Sequence, residues 1–297
     1  MVTGVPEGRC CCVKRSMIVF QGPTGVELVM HTGAEELGVH HILQDVVGWY
    51  GGVGVAGDNT QRTLWHGLFP EPSRRTGRAL TVKGTLVFED RDVRALVERQ
   101  ISGLFWDGEL GAVTVDDGNL VLSTQAKLDG EIEMERWGTT ALKVSVPLLC
   151  PDPFLYAQGG TVQVSPPGAG VGFAWSDGVF PGGGVDWHEG RNTSARVVNE
   201  GNADAYPVIT VQGSWPNGFR LTDGQHAVEY PHAVFDQSPV VVDMRAGSVK
   251  VRGADQTHKL TKREWFKVGP ESAITVRAAQ FAPSTGWADI VLRSTYI

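Results

Sequence analysis

The chain has 297 residues, of which 20% are charged and 8% aromatic, with 38 glycines. That length exceeds one ordinary domain, and the composition suits turn-rich β structure while excluding a disordered or fibrous chain; no apolar run approaches the roughly 20 residues of a membrane-spanning helix. The formal charge is −7, with 14 Lys+Arg against 19 Asp+Glu in residues 1–150 and 12 against 14 beyond them, so the basic footprint of a nucleic-acid binder is missing.

The N-terminal stretch sets its charges around Cys10, Cys11 and Cys12 and has no apolar core of a secretion signal. These three and Cys150 lack the paired spacing of a zinc site and are read as free thiols. Two short strands are expected at "SMIVFQG" (16–22) and "VELVM" (26–30), joined by a Gly-Pro-Thr-Gly turn. Residues 31–77 show no sustained period and are rich in Gly and Pro, which points to an extended arm or binding loop. This segment carries Trp49, Tyr50, Trp65 and Phe69, side chains too apolar to be left in water.

In "RALTVKGTLVFED", Leu80, Val82, Leu86 and Phe88 share one face, the period-two pattern of a half-buried strand. "DRDVRALVERQISGLF" then turns helical over about 90–103, with Asp90 or Asp92 as cap and Val93, Leu96, Val97, Gln100, Ile101 and Leu104 in one row. "GAVTVDDGNLVLSTQAKLDGEIE" reads as a hairpin with Asp-Asp-Gly-Asn at its tip. "TTALKVSVPLLC" alternates again, with Leu142, Val144, Val146 and Leu148 on one face. Next comes "CPDPFLYA" (150–157), whose Pro151 and Pro153 stop sheet pairing and stiffen the chain. From 158 to 297 the sequence is a succession of short strands and turns with no helical segment, the pattern of a β-sandwich. The expected organisation is therefore all-β with one helix: a barrel-like first domain (1–150), a junction (151–157) and a sandwich (158–297).

Catalytic signals are weak. His40, His41 and Asp45 could ligate a metal, but neighbouring histidines on such a segment are more often solvated or packed. Asp116 and Asp117 form an acid pair that hairpin-tip turn chemistry explains equally well. Asp186, His188 and Glu189 lie together in "GVDWHEGRN", where a solvated loop accounts for them. No nucleophile elbow, phosphate loop or H-E-x-x-H is present, so no enzyme, catalytic residue, metal or cofactor is expected. Nine tryptophans raise a carbohydrate-binding alternative through stacking on exposed indoles. Trp187, beside His188 and Glu189, and Trp215 lie in loops and are its surface candidates, whereas Trp265 and Trp287 sit in or beside strand patterns and are expected buried.

The order of parts resembles the distal tail protein (Dit) family of siphophages, minor tail proteins of the tail tip. Four stretches carry the likeness: "GRALTVKGTLVF" leading into the helix, the hairpin that follows, the Asp-Pro-aromatic junction in "CPDPFLYA", and "VVNEGNADAYPVITVQG" in the second half. The resemblance runs from about residue 14 to the end. It implies a baseplate ring of six copies built by the first domains, with galectin-like second domains outside. In the virion the ring would join the tail tube protein to the hub or tail-associated protein, with tape measure protein and DNA passing through. Synthesis would be in the host cytoplasm, with no membrane insertion. Residues 31–77 would be the arm gripping the next protomer, making Trp49, Tyr50, Trp65 and Phe69 candidate contacts between copies. Pro151, Asp152, Pro153 and Tyr156 would form the domain junction.

Overall fold

Alternation dictates the first sheet. From Arg78 to Phe88 every second side chain turns inward, and the same holds from Leu142 to Leu148, so two long strands each bury one face. The computed structural model describes residues 16–22, 25, 27–36, 39–57, 59–167 and 192–297. The chain divides after Ala157 into two units, of which the first also takes Ile297.

In the first unit the elements run β1 (Met17–Gln21), β2 (Glu27–Glu36), β3 (Val39–Val47), four two-residue strands β4 (Val55–Ala56), β5 (Thr60–Gln61), β6 (Leu68–Phe69) and β7 (Arg74–Arg75), β8 (Arg78–Phe88), helix α1 (Arg91–Ser102), β9 (Gly111–Asp116), β10 (Val121–Leu128), β11 (Glu133–Trp137), β12 (Ala141–Cys150) and β13 (Leu155–Ala157). The main sheet follows the order β11-β12-β8-β3-β2-β1-β9-β10-β13. A further pairing, Lys127↔Leu149 and Leu128↔Leu148, joins β10 to β12 and brings the row round on itself as a barrel. Ile18, Phe20, Met30, Leu86, Val113, Leu142 and Val146 fill the interior.

Two expectations need correction here. Residues 31–36 and 39–47 are not arm: they are most of β2 and all of β3, and β3 pairs with β8 from Val39↔Phe88 to Val47↔Thr81. Register shifts at Thr32/Ala34 and Leu43/Asp45 break the alternation, so a sheet strand reads as aperiodic. Helix α1 begins and ends where expected, with the Asp90 carboxylate accepting the Asp92 amide at 3.2 Å. Its buried face differs, however. Ile101 and Leu104 are buried, but Leu96 and Gln100 are exposed and Arg94 takes the inward place, donating to the Thr139 carbonyl at 2.6 Å.

The second unit has β14 (Gly160–Val164), β15 (Ser194–Asn199), β16 (Val208–Gln212), β17 (Phe219–Thr222), β18 (Ala227–Tyr230), β19 (Val240–Asp243), β20 (Ser248–Val251), β21 (Ala254–Asp255), β22 (Lys262–Arg263), β23 (Ser272–Gln280) and β24 (Trp287–Leu292). They form two antiparallel sheets, β14-β24-β16-β19-β20-β21 and β15-β23-β17-β18-β22. Both send alternate side chains into one core, where Trp215 meets Phe219 edge-to-face and Phe219 stacks on Tyr230, with ring centroids 6.0 and 5.6 Å apart. Trp215, expected at the surface, is wholly buried and donates its indole N–H to the Gln212 carbonyl at 2.8 Å. Trp265 and Trp287, expected buried, are only partly so.

Candidate functional site

The segment between β3 and β8 begins with a turn that only glycine fits. Gly48 has φ +85°, and a Cβ there would lie 2.2 Å from the Ala79 carbonyl oxygen. Trp49 then turns inward, 3% exposed, with its amide donating to the Val46 carbonyl. Of the four aromatic residues read as contacts between copies, Trp49 is thus held inside its own protomer.

Beyond it the chain forms a hairpin of nested short ladders, where an irregular arm was expected. Val55↔Arg75 and Ala56↔Arg74 pair first, then Thr60↔Phe69 and Gln61↔Leu68. The Gly54 carbonyl accepts the Thr76 amide at 3.0 Å, the Arg62 amide reaches the Gly67 carbonyl at 3.1 Å, and the Arg62 guanidinium lies over the Phe69 ring. Every described residue from 54 to 77 is exposed. Leu64 is 89% and Trp65 79% exposed, with Leu68, Phe69 and, at the root, Tyr50 also in solvent. An exposed cluster of large apolar side chains on one hairpin is the kind of patch that marks an interaction surface.

The root of this hairpin is tied to the junction. Arg78, the first residue of β8, is 2% exposed. Its Nη1 donates to the carbonyls of Gly48 (2.8 Å), Trp49 (2.9 Å) and Gly51 (3.0 Å), and its Nε to that of Pro153 (3.0 Å). Opposite it in the ladder stands the buried Cys150, the last residue of β12. After Cys150 come Pro151 and Pro153. Between them Asp152 accepts the Phe154 amide at 3.3 Å and the Tyr156 hydroxyl at 2.6 Å. Tyr156, two residues beyond the Asp-Pro-Phe of that pattern, therefore closes the turn through its hydroxyl. Thr124 and Ser123 of β10 donate to the carbonyls of Phe154 and Tyr156, fixing the connector on the barrel side.

The remaining sequence candidates do not come together. His40 and Asp45 are exposed on β3. Asp116 caps the amide of Gly118, and Asp117 those of Asn119 and Leu120, at 2.7–2.8 Å, so the acid pair builds its hairpin turn. Trp187, His188, Glu189 and Asp186 lie outside the described residues. Among the described residues no group of three His, Cys, Asp or Glu is placed to hold a metal. Sequence reasoning missed Arg78, although it left a signal: Arg78 lies in phase with Leu80, Val82 and Leu86, a charged residue on a buried row. It also missed the exposed Trp106 and Trp137, for which alternation gives no cue.

No family model and no curated protein matches this chain. Solved structures do. The Dit protein of phage SPP1, described as a paradigm of the hub adsorption apparatus in phages infecting Gram-positive hosts, superposes with a TM-score of 0.61 at 15% identity, over 95% of this chain and 99% of that one. Chains of the phage p2 baseplate in its activated conformation, with Ca and with Sr, give TM-scores of 0.51 and 0.50 at 7% and 8% identity. Each match covers 94% of this chain and, respectively, 97% and 98% of the other. The two-unit architecture is the distal tail protein fold, over nearly its whole length.

Proposed function

We propose that this chain is a structural, non-catalytic component of a phage tail tip. Six copies form a ring through their first units, joining the tail tube to the hub and host-recognition apparatus. Tape measure protein and DNA pass through its channel, which fits a first half with more acidic than basic residues. The near full-length likeness to SPP1 Dit and the p2 baseplate supports the tail-tip setting. The observation that carries assembly is the hairpin from 54 to 77, ordered by its own ladders yet exposed at every described residue, with Leu64, Trp65, Leu68 and Phe69 unburied. Such a surface is the half-interface of an oligomer, and a second copy supplies the other half. Replacing residues 57–70 with a short Gly-Ser turn tests this. The expected product folds, with both units melting as in the parent, but gives no rings in negative-stain images; rings formed by the shortened protein would show that the hairpin is not the clasp.

A further inference from the structure

The Arg78 guanidinium touches two segments far apart in sequence: the hairpin root at 48–51 and the junction at Pro153. Each has holds of its own, the root in the buried Trp49 and the junction in the bonds from Ser123, Thr124 and Tyr156, but among the bonds described only those of Arg78 reach both. The root is a turn ending in the exposed Tyr50, Gly51 and Gly52, and the junction is a proline-broken stretch between β12 and the three-residue β13. Both present carbonyl oxygens that no strand partner takes, and a buried carbonyl without a donor is costly. Arginine's guanidinium reaches both segments through Nε and Nη1, with Nη1 shared among three carbonyls and Nη2 finding no partner among the described residues. As a cation it makes each bond stronger than a neutral donor would. A lysine in the same place offers three donors from one point and cannot span both segments equally well.

We infer that Arg78 is a positioning residue that locks the hairpin root and the junction into one cooperative unit. The direction of the hairpin and the course of the connector are then set together: neither opens unless the guanidinium releases both. Trp49 and Gly48 reinforce one side of the lock, and the Asp152–Tyr156 hydrogen bond the other. That the lock serves assembly rests on the ring reading above; the lock itself does not.

Native-state hydrogen exchange on the full chain tests it without any substitution. The amides of Trp49 and Thr76, at the root, and of Phe154 and Leu155, at the junction, are expected to open together, with one dependence on low denaturant. In Arg78→Met, protection at both segments falls by roughly ten- to hundredfold, the loss expected from removing charge-assisted bonds, and in Arg78→Lys by less. Amides of Ile209 and Val242 in the second unit stay unchanged. Separate openings in the wild type, or loss at only one segment, overturn the lock; if Arg78→Met does not fold, the wild type and Arg78→Lys still decide. Gel filtration of the same samples reads assembly. A monomeric wild type whose segments open together retires the ring reading and leaves the lock standing. Arg78→Lys that loosens both segments yet assembles at the wild-type concentration overturns the link to assembly.

Discussion

At the scale of single residues, the second unit's quoted motif has a physical explanation. Asn199 is wholly buried, and its amide donates to the carbonyls of Ala203 (2.7 Å), Val268 (3.2 Å) and Gly269 (3.0 Å) while accepting the amides of Gly201 (3.1 Å) and Thr295 (3.2 Å). Gly201 passes so close to Thr295 that a Cβ would lie 1.9 Å from its carbonyl oxygen. Asn199→Ala strands the Ala203 carbonyl and the Gly201 and Thr295 amides, while the Val268 and Gly269 carbonyls keep the Ala205 amide and the Ser272 hydroxyl, and a loss of about 3 kcal/mol or more is expected in denaturant unfolding. A change under about 1 kcal/mol would contradict the satisfied-amide account. Cys150 offers a pH test. Burial pushes its thiol up to about 11, against the opposing influences of the Thr124 hydroxyl and Arg78. A thiol raised in the folded state contributes stability that is complete below its unfolded pKa of about 8.5 and is lost as pH climbs through the folded value. Alkylation of the Cys150 peptide, followed by mass spectrometry, should therefore be slow at pH 8.5 in the native protein and fast in urea; equal rates would refute it. Asn199 illustrates the limit of reading by residue type: the motif is visible in sequence, but its five partners come from three separated segments.

Among the elements, those with uninterrupted periods were legible. β8 and β12 alternate cleanly and α1 carries its cap, so all three lie where the sequence places them. β3 was hidden by its register shift, and the hairpin ladders by their length, since two-residue strands have no period to detect. Helix α1 and the edge strand β11 meet through an ion pair that no local pattern announces. Arg136 donates from Nε and Nη2 to the two oxygens of Glu98, each at 2.8 Å, and this pairing holds the Glu98 carboxyl below the usual carboxylate range. A depressed carboxyl contributes stability that is present above its unfolded pKa and lost as pH falls through the folded one. Because the Arg136 side chain is 64% exposed, water screens the pair, and Glu98→Gln should cost less than about 1 kcal/mol at pH 7. The deficit should vanish in acid, where the parent loses the same charge. A deficit that persists in acid would assign the cost to packing instead.

For the molecule as a whole, each unit has its own core, and the proline-marked junction falls where one ends and the other begins. Residues 158–297 are accordingly expected to fold alone as a monomeric all-β domain. Helical circular dichroism or aggregation of that fragment would refute the boundary. In the proposed ring, the unit bearing the exposed apolar hairpin is the one assigned to assembly, and the sandwich is the one assigned to display. The sequence carried this division through its proline-rich octapeptide and the loss of helical pattern beyond it. It did not carry the hairpin's geometry or the Arg78 lock, because both depend on contacts between distant segments. The central claim is that the first units bring copies together, and light scattering on the full chain after gel filtration measures this directly. The account predicts a particle of six times the 32.0 kDa chain mass, falling to a single chain when Leu64, Trp65 and Phe69 are replaced by serine. A wild type that remains at 32.0 kDa at every concentration tested would contradict it.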